Sequence, residues 1–243
     1  MKKLFILIVT VFFINGLTKA EVADTMYVMK SGVVVVKCPV ADVDSVIFYK
    51  PTLQDIDGNN YTTVTIGTQT WMVENLKVTK FNDGTPIPNS GANAGVYTNA
   101  EWLALSSPAR CWYGHESGVE PVGGNMLYNF YAVNSGKLAP KGWHIPTKAE
   151  WETLAAYVSQ PNLVKLLDVT CGGTNELGFK ALQIGCRTTE GAGGWYAAGN
   201  NSSFWASDSY TVGRGWHIWV RASDIYFGHS AYNYGNPVRL IKD

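Results

Sequence analysis

Lys2 and Lys3 precede an uncharged, apolar run from Leu4 to Ile14, and Thr18 and Ala20 follow as small residues at a cleavage point after Ala20. Charge, length and ending together predict a secretory signal peptide. The apolar core is shorter than the roughly 20 residues a membrane span needs. Beyond it the pattern turns to strands. Met26 to Lys30 and Val33 to Lys37 flank Ser31-Gly32, a two-residue loop of hairpin type, and a third β-prone run from Ser45 to Lys50 stops at Pro51. Residues 21–52 are expected to form an N-terminal β segment, and residues 53–243 the main domain.

That domain opens on Asp55-Ile56-Asp57-Gly58-Asn59, a turn-rich group leading into strands over Tyr61 to Ile66 and Thr70 to Val73, with Gly67 between them. The Asp-x-Asp-Gly spacing hints at calcium, but the acidic twelfth position of a calcium loop is missing, so a turn is the preferred reading. Lys80 to Gly124 is irregular and broken by proline and glycine, with a short helix at Asn99 to Leu105. Leu127 to Val133 resumes as an aromatic strand or helix start.

The strongest local signal lies at Trp143-His144-Ile145-Pro146-Thr147, where Thr147 and Glu150 have the spacing of a capping box. Trp151, Leu154, Ala155 and Val158 then fall on one helical face and require burial. Trp143, Thr147, Glu150 and Trp151 are accordingly read as structural. A second helix is expected from Asn162 to Val169, after Pro161. Past Gly194 the pattern is β again, with strands over Phe204 to Ser207, Gly215 to Ala222, Asp224 to Phe227 and Val238 to Lys242. In the second of these Trp216, Ile218 and Val220 share one face, and His217, Trp219 and Arg221 share the other. The first set makes the better core, with Trp216 structural. One or two helices, short antiparallel strands and long irregular loops predict an α+β domain.

Charge narrows the function. Loss of residues 1–20 removes three of the 19 basic side chains and leaves 16 against 19 acidic ones, so no basic field exists to hold nucleic acid. Nine Trp and 13 Tyr exceed the needs of one core, and rings left on a surface mark recognition. Four cysteines remain, Cys38, Cys111, Cys171 and Cys186, in a chain expected to meet an oxidising compartment. Their three possible pairings stay open; Cys171 with Cys186 would close a loop of about 15 residues, stabilising by roughly 3 kcal/mol.

Enzyme signatures are sparse. There is no phosphate loop, dinucleotide Gly-x-Gly-x-x-Gly or nucleophile elbow. The four histidines lack zinc-ligand spacing and no Cys-x-x-Cys occurs, so no metal and no cofactor are expected. His144, between Trp143 and Ile145, is read as a structural hydrogen-bonding residue.

Several separated motifs resemble the Fibrobacter succinogenes major paralogous domain. They are Asp55 to Asn59, Gln69-Thr70-Trp71-Met72-Val73-Glu74-Asn75-Leu76, Leu127 to Val133, the Gly-Trp-His-Ile-Pro-Thr helix entry at Gly142 and the ending Val238-Arg239-Leu240-Ile241-Lys242-Asp243. The resemblance implies an exported bacterial domain with a C-type-lectin-like fold, related to formylglycine-generating enzymes. It departs from those enzymes in having no cysteine after Cys186, and Leu240 stands where many relatives carry cysteine. Phe204 to Asp243 is also similar to the variable regions of proteins diversified by retroelements, and Asp208 to Asn236 contains no Lys, Glu, Gln or Met.

The resulting expectation is an exported, non-enzymatic binding module that recognises a protein or glycan at the cell exterior. Its contact face is assigned to His217, Trp219, Arg221, Tyr226, His229, Tyr232 and Tyr234, with Arg221 orienting the ligand. The competing reading packs these aromatics against the Lys80 to Gly124 loops. Alternative functions are an oxidoreductase related to formylglycine-generating enzymes and a structural or adhesion subunit of the envelope.

Overall fold

The computed structural model describes residues 25–30, 33–42, 53–89, 97–113, 126–158, 162–190, 194–196 and 198–243. The expected signal peptide, the Ser31-Gly32 loop and the run from Ser45 to Lys50 lie outside them. The chain divides into two units between Lys50 and Pro51. In the first, β1 (Thr25–Lys30) pairs antiparallel with β2 (Val33–Pro39), with Lys30 opposite Val33, and a 3-10 turn follows at Val40–Asp42.

The second unit holds two short strands, β3 (Leu53–Gln54) and β4 (Asn60–Tyr61), then the hairpin β5 (Thr63–Ile66) and β6 (Gln69–Met72). After the helix α1 (Asn99–Leu103) come β7 (Arg110–Trp112), β8 (Met126–Asn129), α2 (Phe130–Val133), β9 (Trp143–His144) and α3 (Lys148–Val158). The C-terminal part contributes β10 (Cys186–Thr188), β11 (Gly194–Tyr196), β12 (Ser202–Thr211), β13 (Arg214–Val220), β14 (Ile225–Ala231), β15 (Gly235–Asn236) and β16 (Ile241–Lys242). These strands form four antiparallel sheets, in the orders β3-β4, β5-β6-β16-β9, β11-β10-β15-β8-β7 and β12-β13-β14.

This architecture corrects the α+β, C-type-lectin-like expectation. Among the described residues the domain is an antiparallel β protein, and only α3, with 11 residues, is longer than five. The expected helix from Asn162 to Val169 breaks into 3-10 turns, Asn162–Lys165 and Val169–Cys171. The cause is local. Asp168 accepts hydrogen bonds from the Thr170 N–H at 2.8 Å and the Thr170 hydroxyl at 2.6 Å, which caps a new turn, while Leu167 pairs with Ala181 as an isolated bridge.

Helix α3 forms where its signals lie. The Thr147 hydroxyl accepts from the Glu150 N–H at 3.2 Å, and the Glu150 carboxylate accepts from the Thr147 N–H at 2.8 Å. Trp151, Leu154 and Val158 are buried, with the Trp151 ring 4.8 Å from Trp71 and stacked 5.2 Å from Phe204. They belong to one core cluster with Phe179, Ile218 and Ile241. A second surrounds Tyr61, Tyr128, Phe130 and Trp205, and Trp143 packs on it; a third, smaller one surrounds Trp102 and Leu127. The short helix α1 carries a capping box of its own between Thr98 and Glu101.

The possible Cys171–Cys186 bridge is not formed: Cys111, Cys171 and Cys186 are free thiols. Cys171 ends a 3-10 turn, where its sulfur accepts the Gln183 N–H at 3.3 Å, and Cys186 is buried in β10. Leu240 is fully buried in the core around Tyr128.

His144 bridges two carboxylates. Nδ1 lies 2.7 Å from the Asp243 carboxylate and Nε2 lies 2.8 Å from that of Glu150. Burial alone lowers its pKa, but the bonds to Asp243 and Glu150 outweigh this and the net shift is upward. With the folded pKa above the unfolded value, the ring's contribution is complete below about pH 6.5 and disappears as pH rises through the folded value. In denaturant titrations the wild type should therefore lose an increment of stability between pH 6 and pH 8 that His144→Gln lacks. Trp151→Ala should cost roughly 3 to 5 kcal/mol in the same measurement, and Thr147→Ala about 1.

Candidate functional site

The sheet β12-β13-β14 carries a different load on each face. Its register places Phe204, Ile218 and Phe227 in one cross-strand row, with Val220 opposite Ile225. Phe204, Ile218 and Val220 of this face are fully buried in the core that holds Trp151. Trp216 lies half-buried at its rim, with the Lys148 ammonium 5.0 Å from its ring centre.

On the opposite face the rows are Trp205, His217 and Gly228, then Ser203, Trp219 and Tyr226. Trp205 is fully buried, donates from Nε1 to the Tyr128 carbonyl at 2.8 Å and meets Phe130 edge-on at 5.2 Å. His217 is 6% exposed, its Nδ1 is 2.8 Å from the Ser230 hydroxyl, and its ring stacks on Trp219 at 5.1 Å. Among the described residues Nε2 of His217 has no hydrogen-bond partner, and burial pulls the pKa down to about 4, so the imidazole is neutral at pH 7. The ring fits only because residue 228 is glycine: a Cβ there would lie 2.5 Å from Nε2 of His217 and 2.6 Å from Cε1 of Tyr226.

Further along the strands this face opens. Trp219 is half-buried, Tyr226 is 45% exposed, and Tyr196, contributed by β11 of the neighbouring sheet, is 53% exposed. The three rings form a row, Tyr196 to Trp219 at 6.4 Å and Trp219 to Tyr226 at 5.4 Å between centres. The Arg221 guanidinium covers two of them, 5.7 Å from Trp219 and 5.5 Å from Tyr226. It is held there by two bonds to Asp224, Nε at 2.6 Å and Nη2 at 2.5 Å. The bond to Arg221 is the main reason the Asp224 carboxyl lies below its ordinary range.

The seven residues assigned to a contact face thus occupy three places. His217, Trp219, Arg221 and Tyr226 cluster together, though His217 lies beneath the rings instead of at the surface. His229 is on the reverse face, stacked on Tyr210 at 4.0 Å and 3.1 Å from an Arg214 nitrogen. Tyr232 and Tyr234 pack on the core around Phe130. Tyr232 stacks on that ring at 4.7 Å, and the Tyr234 hydroxyl accepts from Thr188 at 3.0 Å. Between them Asn233 donates to the Leu103 carbonyl at 2.7 Å, a contact with the irregular region before β7. Sequence reading missed Tyr196 and Asp224. Asp224 carried a usable signal, an acid three residues after an arginine across a turn, whereas Tyr196 reaches the row only through the pairing of β10 with β11.

Among the described residues no group of three or more His, Cys, Asp or Glu is placed to hold a metal ion. At the Asp55 turn one carboxylate oxygen accepts the N–H groups of Asp57 and Asn59, both at 3.0 Å. The other accepts the Tyr61 hydroxyl at 2.6 Å and the Asn59 amide at 2.9 Å. Its acceptors are spent on closing the turn.

Fold and site together define a β-rich domain with an aromatic, arginine-braced sheet face. The model of the Fibrobacter succinogenes major domain family matches residues 64–242, and the chain belongs to that family. No curated protein and no solved structure gives a match.

The close approach at residue 228 is directly testable. Gly228→Ala should displace His217 and Tyr226 and destabilise the domain by roughly 1 to 3 kcal/mol through overpacking, read as a lowered denaturation midpoint.

Proposed function

We propose that this chain is an exported, non-enzymatic binding module whose contact face is the row Tyr196, Trp219 and Tyr226 with Arg221 across it. The observation that carries the reading is the exposure of these rings on a sheet whose reverse face is core. Aromatic and arginine side chains held rigidly at a surface contribute contact area at little entropic cost, which is why they dominate interaction hot spots. The similarity of Phe204 to Asp243 to retroelement-diversified regions supports the same location. The signal-peptide pattern of residues 1–20 supports export.

Two of the cysteines are poor candidates for the thiol chemistry the oxidoreductase reading requires. Burial pushes the Cys111 thiol up to about 11 and the Cys186 thiol up to about 12, so both are protonated and unreactive near neutral pH.

The test is the double substitution Trp219→Ala with Tyr226→Ala. Its thermal midpoint should fall by no more than a few degrees, because neither ring is fully buried. On arrays of glycans and of secreted and surface proteins, signals given by the wild type should vanish for the double variant. Collapse of the fold, or array signals that persist unchanged in a folded double variant, would show that these rings serve packing alone.

A further inference from the structure

The outer edge of β14 is open in a way the other edges of the second unit are not. The Arg221 N–H donates to the Asp224 carbonyl at 3.0 Å and the Tyr232 N–H to the Gly213 carbonyl at 3.0 Å, which fixes the parity of bonding between β13 and β14. Tyr226, Gly228 and Ser230 turn their backbone groups toward β13, so Ile225, Phe227 and His229 turn theirs away from it. Among the described residues nothing pairs with these outward N–H and C=O groups. The remaining edges are blunted. β3, β4 and β9 have two residues each, β7 and β11 three, and β5 four. β12 is longer, but its register shifts twice past Trp205, and the Trp205 and Ser207 N–H groups are taken by the Pro237 and Pro146 carbonyls. β14 runs seven residues in one unbroken register and contains no Pro, Lys, Arg, Asp or Glu. Such an edge is a template for another strand.

The edge is complementary to itself. When two copies of β14 run antiparallel about a two-fold axis at Phe227, Phe227 stands opposite its own counterpart, Ile225 opposite His229, and Tyr226 opposite Gly228. Every outward N–H and C=O of Ile225, Phe227 and His229 is then paired, whereas sliding the copies by two residues leaves some of them unpaired. The side chains agree with this register. On one face the half-buried Phe227 rings adjoin at the axis. On the other, each Tyr226 ring leans over its own Gly228, where an added Cβ would lie 2.6 Å from Cε1 of that ring. No side chain therefore projects between the two tyrosines, and their rings lie side by side across the axis. The axis brings no like charges together, since the strand carries no Lys, Arg, Asp or Glu. A foreign strand would meet the same backbone groups, but only a second copy supplies Tyr226 opposite Gly228 in both directions. Five paired residues span roughly 17 Å, a contact at the small end of specific interfaces, so association is weak and reversible.

We propose that β14 joins a second copy of this chain edge to edge, antiparallel about an axis at Phe227, to make one continuous sheet in the order β12-β13-β14-β14-β13-β12. The inference stands on backbone geometry and does not rest on the contact-face reading. In the joined sheet both ring rows lie on the same face, so an extended ligand is held at two places.

Sedimentation velocity of the full chain from about 5 to 500 µM, a range suited to a small interface, tests this. The mean mass of the wild type should rise toward twice that of the monomer. His229→Lys places an ammonium on the edge, and His229→Pro removes an outward N–H without breaking a bond to β13; each should weaken association at least tenfold. Val212→Lys adds the same charge at the β12–β13 turn, where residue 212 is 98% exposed, and should associate as the wild type does. In amide hydrogen exchange followed by NMR, Phe227 and His229 should gain protection at the high end of the concentration range. Thermal melts identify any variant that fails to fold, and His229→Lys, at an exposed position, keeps the test decisive if His229→Pro does. A chain that stays monomeric at the highest concentration overturns the inference and leaves the edge to a foreign strand. Association that survives both His229 variants, or that leaves exchange at Phe227 and His229 unchanged, overturns it as well, since the copies then meet elsewhere.

Discussion

The domain depends on a buried arginine. Arg239 is fully enclosed, its guanidinium 4.5 Å from the Phe179 ring centre and 5.0 Å from that of Phe204. It donates to the Phe179 carbonyl, to Asn75 Oδ1 at 2.6 Å and to the Lys180 carbonyl at 3.5 Å. Burial works against its charge and draws its pKa down, so the ring faces and acceptors must replace lost hydration. In doing so it pins a loop whose backbone is costly, since Asn175 and Lys180 both adopt positive φ. On either side of Arg239, the Leu240 carbonyl accepts from Met72 and the Val238 carbonyl from Leu76, at 2.9 and 2.8 Å, which ties the C-terminal segment to β6 and the turn after it.

From that cation the architecture spreads through aromatic contacts. Phe179 and Phe204 hold Trp151, Trp151 holds Trp71, and Phe204 belongs to β12 of the sheet that presents the ring row. The next residue, Trp205, faces the other way and enters the core around Phe130 and Tyr128. Consecutive residues of one strand thus stitch two cores together, and the stiffness of the outer rings derives from this double anchoring. Gly215 shows how tight it is: a Cβ there would lie 2.2 Å from the Phe130 ring.

Local signals in the chain translated into structure where their physics is local. The Thr147–Glu150 box, the alternation along β13 and the pairing of β1 with β2 depend on neighbours within a few residues or on a side-chain period. The β-rich class did not emerge, because short strands such as β9, β15 and β16 have two residues each and exist only through partners distant in the sequence. The cysteine pairing failed for a related reason: spacing sets the length of a loop, not the direction in which each thiol points. Of the contact residues, those on β13 and at the start of β14 kept company because alternation fixed their face. His229 went to the reverse face because it sits an odd number of residues from Tyr226. Tyr232 and Tyr234 lie past the end of β14, where no strand period constrains them.

The alternation along β13 has an evolutionary corollary. Core residues and residues of the opposite face are interleaved one position apart, so inserting or deleting a single residue between Gly215 and Val220 would exchange them wholesale, sending Trp219 inward and Ile218 into solvent. Only its outward-facing, partly exposed positions, Trp216 and Trp219, are open to replacement, and the segment is forbidden to change by length. The far end of the hairpin is different, since the β12–β13 register already shifts beyond Trp205 and Val212 at the turn is 98% exposed. A lineage varying this sheet would therefore keep its spacing fixed, change only the outward-facing side chains along its middle, and confine its insertions to the tip.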